Sequence, residues 1–143
     1  MSSKLKMPAN RSIRNALMAR IRSKNTSPER MVRSLLFAMG YRYRIHRKNL
    51  PGCPDIAFIS RKKAIFVNGC FWHQHEGCLR ASTPATNRDY WLPKLERNKQ
   101  RDKDAIRELQ RLKWRVLTIW ECETKTSVAQ LRKRLKRFLG LPR

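Results

Sequence analysis

Ile65-Phe66-Val67-Asn68-Gly69-Cys70-Phe71-Trp72-His73-Gln74-His75-Glu76-Gly77-Cys78 joins two kinds of sequence in one short stretch. Its apolar half reads as the end of a buried strand, halted at Asn68-Gly69. Its second half is a loop holding two cysteines, two histidines and an adjacent Phe-Trp pair. Thiolate and imidazole this close together suit Zn²⁺, which takes sulfur and nitrogen ligands in a tetrahedron. A loop has no packing reason to present Phe71 and Trp72 side by side unless the rings fill a core or stack on a flat surface. In a very basic chain, a nucleobase is such a surface.

Working outward, Asp55–Ile59 reads as a strand, and Ser60–Lys63 connects it tightly to the strand Ala64–Asn68, so the two form a hairpin. Upstream, Thr26-Ser27-Pro28-Glu29 starts a helix: Thr26 caps it, Glu29 follows three residues on, and Pro28 is tolerated in the first turn. Met31, Val32, Leu35, Leu36 and Met39 form its apolar stripe, and Gly40 ends it. Tyr41 to Ile45 alternate as a strand, and Leu50–Pro54 is a turn. Downstream, a charged helix is expected from about Arg88 to Lys113, with Trp91, Leu95, Ile106, Leu109 and Leu112 as its apolar positions. Trp114–Trp120 is the strongest buried strand, with Glu121 and Cys122 at its end. Ser127 caps a last helix with Leu131, Leu135 and Phe138 inward, stopped by Gly140 and Pro142. The expected fold class is α/β: one mixed sheet flanked by helices. Residues 1–10 read as a flexible basic N-terminus, 11–143 as a single domain, and Ile13, Leu17 and Ile21 as one face of a short basic helix.

The chain has 143 residues, enough for one domain with a real core, and is 41% hydrophobic. Its 34 lysines and arginines face 10 aspartates and glutamates, a formal net charge of +24. Self-repulsion of that size destabilises a compact state, so a polyanionic partner is implied. A ribosomal-type RNA binder is the plain reading of charge alone. Acidic membrane surfaces compete, but no long basic amphipathic helix with a clean apolar face supports them. No apolar run reaches a membrane span of about 18 residues, and the N-terminus shows no signal-peptide core. A cytoplasmic location is expected, where four cysteines are metal ligands more often than disulfides.

Two constellations carry chemistry. Cys70, His75 and Cys78 lie close together, and Cys122 returns from a distant strand end. A Cys₃His set makes a closed structural zinc site that ties the loop to the sheet. Ordinary buried thiols, or Cys70 paired with His73 as a nucleophile, are the competing readings. Cys53, between Gly52 and Pro54, reads as a small turn residue. The second constellation is acidic. On a surface that binds a polyanion, a carboxylate is unwelcome unless a cation sits on it. Asp55 begins a strand whose partner ends at Val67-Asn68, which makes it either a perch for Mg²⁺ or a strand-capping side chain.

Leu50-Pro51-Gly52-Cys53-Pro54-Asp55, the run Phe66–His73, Tyr90-Trp91-Leu92-Pro93-Lys94 with Asn98 and Asp102, and Trp114–Cys122 together resemble the very-short-patch-repair endonucleases, the bacterial enzymes that nick T:G mismatches. The similarity runs from about Arg20 to Cys122, and the Gly-Cys-Phe-Trp-His segment is its most specific part. The resemblance implies a restriction-endonuclease-like core, a structural zinc and a Mg²⁺-dependent cleavage site. It implies that Asp55 is the side-chain Mg²⁺ ligand and that Val67 lends its backbone carbonyl. His73 would act on the attacking water or on a metal-bound water, and Glu29 would join the water network at the metal. Cys70, His75, Cys78 and Cys122 match the zinc ligands. Phe71, Trp72 and Trp91 match the wedge beside the mismatch, and Lys94 and Asn98 match base-contacting positions. Asn68 stands where the family often has histidine; its amide can hold a catalytic water but cannot take its proton. Gly77 lengthens the loop by one residue relative to the shortest members.

The implied substrate is double-stranded DNA with a T:G pair left by deamination of 5-methylcytosine, nicked 5′ of the thymine. A monomer at the bacterial nucleoid is expected, with general mismatch-repair proteins as partners. The alternative function is a zinc-stabilised nucleic-acid-binding module without cleavage. Asp55, His73 and Glu29 discriminate, since a pure binder has no reason to gather them at one site.

Overall fold

The structure, a computed structural model, describes residues 26–82 and 85–142. The segment 1–10 and the helix expected on Ile13, Leu17 and Ile21 lie outside the described residues. Helix α1, Ser27–Ala38, starts where its sequence signals put it: Thr26 Oγ1 accepts the Glu29 N–H at 3.4 Å. Val32 and Leu36 are fully buried, and Gly40, at φ +98°, turns the chain out of the helix.

The strand expected over Tyr41–Ile45 pairs only as β1, Arg44–Ile45. The reason lies in the helix end, where the Tyr41 N–H is spent on Leu36 O at 3.0 Å. The alternation survives in the side chains: Tyr41 is buried, and both tyrosine rings meet Phe58 edge-on at 6.3 Å. Strands β2, Ile56–Phe58, and β3, Lys63–Asn68, form the expected antiparallel hairpin, with Ile56 opposite Ile65. Helix α2, Arg88–Arg111, stops just short of Leu112, which is left half-exposed. It crosses over to β4, Arg115–Trp120, which lies parallel to β3 from Lys63↔Arg115 to Asn68↔Trp120. A parallel neighbour requires such a crossover. The sheet order is β1-β2-β3-β4.

The sheet ends in a short helix that the sequence reading did not anticipate, α3, Glu121–Thr126, whose Glu123 carboxylate accepts the Trp120 N–H at 2.8 Å. Helix α4, Val128–Leu139, is capped by Ser127, which accepts the Gln130 N–H at 3.2 Å. Its buried stripe is Leu131, Leu135 and Leu139, while Phe138 packs only partly against the core.

The period of two along β3 and β4 divides the core. Ile65, Val67 and Ile119 face α1 and α4 with Val32, Leu36, Leu131 and Leu135. Ala64, Phe66 and Val116 face the other way, with Leu109 of α2 and Trp114. Helices therefore cover both faces, and the end of β3 emerges between α1 and α2.

Candidate active site and metal cluster

Asp55 stands one residue before β2, and its Oδ2 accepts the Val67 N–H of β3 at 2.7 Å. The carboxylate thus caps the open end of the hairpin, beside the Val67–Asn68 segment. The antiparallel register that sets Ile45 opposite Ile56 puts His46 opposite Asp55, and the His46 N–H donates to Asp55 O at 3.2 Å. Glu29, from the first turn of α1, is buried, and its Oε2 lies 2.9 Å from His46 Nε2. One donor atom from each of Glu29, His46 and Asp55 falls within 4.8 Å of the others. That spacing fits a shared divalent cation. Burial pushes the Asp55 carboxyl up from 3.8 to about 6, and Glu29 raises it further; the Val67 N–H, His46 and His73 pull the other way.

Glu29 and Asp55 border a cleft of about 420 Å³ that is also lined by Asn68, His73 and Asp102, while His46 stands behind them on the Glu29 carboxylate. His73 Nδ1 lies 2.5 Å from Asp102 Oδ2. With the proton on Nδ1, donated to the carboxylate, Nε2 keeps a free lone pair. Asn68 ends β3 and is buried. The turn before Asp55 can lie against α2 only because Gly52 has no side chain: a Cβ there would sit 2.5 Å from Ala105 Cβ, and its φ is +74°. Cys53 occupies the same turn at φ +49°.

The second cluster is Cys70, His75, Cys78 and Cys122, again with ligand atoms within 4.8 Å of one another. His75 Nδ1 lies 3.7 Å from Cys70 Sγ and 3.5 Å from Cys122 Sγ. Sulfur at 2.3 Å and nitrogen at about 2.05 Å on one tetrahedral zinc stand about 3.6 Å apart, so the donor set fits that ion. Burial pushes the Cys70 thiol up to about 12, against the Cys122 backbone N–H that lowers it. Cys70 is buried with its Sγ beside His75, while His73 pairs with Asp102, an arrangement that favours the ligand reading of Cys70 over a Cys70–His73 nucleophile. His75 stacks on Trp120 at 4.1 Å, so the loop is joined to β4 by both a ligand set and a ring pair.

Phe71, Trp72 and Trp91 form one aromatic cluster, with centroids 5.3, 5.6 and 5.5 Å apart. Trp72 is its buried member, and Tyr90 meets Trp91 edge-on at 5.0 Å. Lys94 Nζ lies 5.8 Å from the Tyr90 ring. Asn98 is buried beneath the cluster: it donates to Trp72 O at 3.2 Å and accepts from Arg101.

Two members of this site escaped the sequence reading. His46 was given no role, although pairing the Tyr41–Ile45 strand with the Asp55 strand would have set it opposite that carboxylate. Asp102 belongs to the resembling segments, which assign it no role. It falls on the inward stripe of α2 with Leu95, Asn98 and Leu109, where an acid needs a reason to be.

The model of the family described as DNA mismatch endonuclease Vsr matches residues 8–79. A type II nicking enzyme of Xanthomonas oryzae pv. oryzae, V.XorIIP, is 49% identical over 126 residues, which is 88% of this chain and 91% of that protein. A second nicking enzyme, V.NmeAIP of Neisseria meningitidis, is 41% identical over 88% of this chain and 89% of its own length. The DNA mismatch endonuclease Vsr of Escherichia coli is 40% identical over 76% of this chain and 69% of its own.

Proposed function

The chain belongs to the DNA mismatch endonuclease Vsr family, and from that membership we propose that it nicks DNA at T:G mismatches, 5′ of the thymine, using Mg²⁺. The observation that carries this reading is one cleft holding Asp55, Glu29 and the His73–Asp102 pair. A binding module has no use for a metal-sized carboxylate set beside an oriented imidazole. The mixed sheet, with its carboxylate at the open end of a hairpin, accords with a restriction-endonuclease-like core.

In this reading Asp55, with the Val67 carbonyl, holds the divalent cation, and Glu29 orders water beside it. A divalent cation held there would offset the negative charge that builds on the phosphate and make water a better nucleophile. Asp102 fixes the His73 tautomer, and His73 Nε2 takes the proton from the attacking water. The water oxygen bonds to phosphorus as the P–O3′ bond on the 5′ side of the thymine breaks, which leaves a 5′-phosphate on the thymine and a departing 3′-oxygen that takes its proton from bulk water. Asn68 positions water through its amide and takes no proton. Cys70, His75, Cys78 and Cys122 hold a structural zinc. Phe71, Trp72 and Trp91 enter the duplex beside the wobble pair, where unstacking costs less than at a matched step, and Lys94 contacts bases nearby; Asn98, buried with its amide bound to Trp72 O and Arg101, reaches a base only by exchanging those partners. The substrate arises by deamination of 5-methylcytosine in a bacterial cytoplasm.

The test is a nicking assay with Mg²⁺ on paired duplexes, one T:G and one T:A, with Asp55→Ala alongside. Nicking confined to T:G and lost in the variant is expected. Undiminished cleavage by Asp55→Ala would move the metal elsewhere and discredit the hairpin site.

A further inference from the structure

We propose that His46 is a nitrogen ligand of the cation held by Asp55, that Glu29 bonds to that cation directly instead of through water, and that His46 makes the site favour Mn²⁺ over Mg²⁺. The inference rests on the reading of the cleft as a metal site and adds a donor to it. His46 is nearly buried, with a side chain 12% exposed, and its ring has been brought to the carboxylates by a left-handed backbone at φ +48°. A histidine in that conformation departs from the common regions, so the surrounding structure must hold it there.

The distances match shared coordination. Two adjacent ligands of an octahedral ion, each about 2.1 Å from it, stand about 3.0 Å apart. His46 Nε2 and Glu29 Oε2 stand 2.9 Å apart, and the nearest Asp55 donor lies within the same 4.8 Å cluster. The short contact that serves as a hydrogen bond without an ion is thus also the spacing of two donors on one ion. Position argues the same way: His46 is tied through its N–H to Asp55 O at 3.2 Å, so its ring and that carboxylate are placed by one strand pairing.

The donor set then decides the metal. Mg²⁺ is hard, keeps its waters and is content with oxygen alone. Replacing one oxygen by imidazole shifts the balance toward first-row transition ions, of which Mn²⁺ still suits carboxylate and carbonyl oxygen.

The experiment measures binding, without DNA and without turnover. Mn²⁺ is titrated into the zinc-replete full chain, free ion is followed by electron paramagnetic resonance, and Mg²⁺ is added in competition. Pulsed resonance on the bound ion reads nitrogen directly. Expected are one Mn²⁺ in the cleft, held against a large excess of Mg²⁺, and a ¹⁴N coupling from imidazole. His46→Gln, which keeps a hydrogen-bond donor for Glu29, should erase the coupling. It should weaken Mn²⁺ by at least the roughly 10–100-fold seen on loss of a ligand's own partner, while Mg²⁺ affinity changes little. Bound Mn²⁺ without ¹⁴N coupling in the unaltered chain overturns the proposal and leaves His46 as a hydrogen-bond partner of Glu29. Mn²⁺ binding that survives Asp55→Asn is a different failure, because it removes the cleft as the metal site altogether.

Discussion

Asp55 is a carboxylate that the folded chain makes harder to ionise, and its stability consequence has a definite sign. Its carboxyl titrates near 6 in the fold against 3.8 for an ordinary aspartate, chiefly through burial. The folded state therefore holds this proton more tightly than the unfolded state does. Its contribution to stability is fully present below 3.8 and is lost as pH rises through about 6, a difference of about 3 kcal/mol at neutral pH. Asp55→Asn should then stabilise the metal-free protein near pH 8 by up to about that amount and change little near pH 4. Denaturant unfolding at the two pH values measures this; an equal gain at both would mean that ionisation is not the cause. A divalent cation should raise the stability of the unaltered chain and not that of the variant. His73 carries the other residue-scale prediction. His73→Ala should slow nicking by ~10²-fold or more if its Nε2 takes the proton, with T:G affinity retained. An unchanged single-turnover rate would relieve His73 of that role.

At the scale of elements, the Cys/His loop is a strand extension whose four clustered side chains are spaced to share a metal ion. Between β3 and the long helix α2 its described residues form turns and one short 3₁₀ segment, Leu79–Ala81, so a metal at the Cys/His cluster would do much of the work of packing. Cys122→Ala removes the one ligand contributed by the far strand end and should unfold or aggregate the protein, with loss of about one zinc per chain. A folded, active variant lacking zinc would sink the structural assignment. Gly52→Ala should destabilise by roughly 1–3 kcal/mol, because the turn needs φ +74° and the added carbon meets Ala105 at 2.5 Å. Thermal unfolding reads it. These elements also mark how far the sequence could be read. The hairpin, the two capped helices and the crossover were legible because each has a local signal: Thr26, Ser127, a tight turn, an apolar run. The ligand atoms of Cys70, His75, Cys78 and Cys122 do come together, since three are neighbours in sequence and the fourth lies in the first turn of α3, just past the strand that pairs with β3. What stayed hidden depended on pairing and pitch. His46 enters the site through a two-residue ladder that no propensity signals. Asp102 enters through the phase of α2, and α3 forms because Glu123 captures the Trp120 N–H.

For the whole molecule, the question is how a chain of net charge +24 distinguishes one base pair from the rest. Its charge binds any duplex and loses that affinity steeply with salt, so charge supplies attraction and no selectivity. Selectivity must come from a part whose energy depends on the step it meets. The cluster of Phe71, Trp72 and Trp91 is the proposed part, and its rings are already packed on one another at 5.3–5.6 Å, so little ordering would remain to be lost on insertion. Stacking on a base is worth about 1–3 kcal/mol, which is roughly five- to 150-fold in affinity. Opening the step costs less beside a wobble pair than beside a matched one. Phe71→Ala with Trp72→Ala should therefore lower affinity for T:G duplex far more than for matched duplex. The salt dependence of what remains should be nearly unchanged, because no phosphate contact is removed. Since Trp72 is also buried, zinc content and thermal midpoint must first show that the double variant still folds. Titrations of both duplexes across a salt series then decide the matter. A double variant that keeps its full preference for T:G would make these rings core packing, and discrimination would have to lie with the residues bordering the cleft.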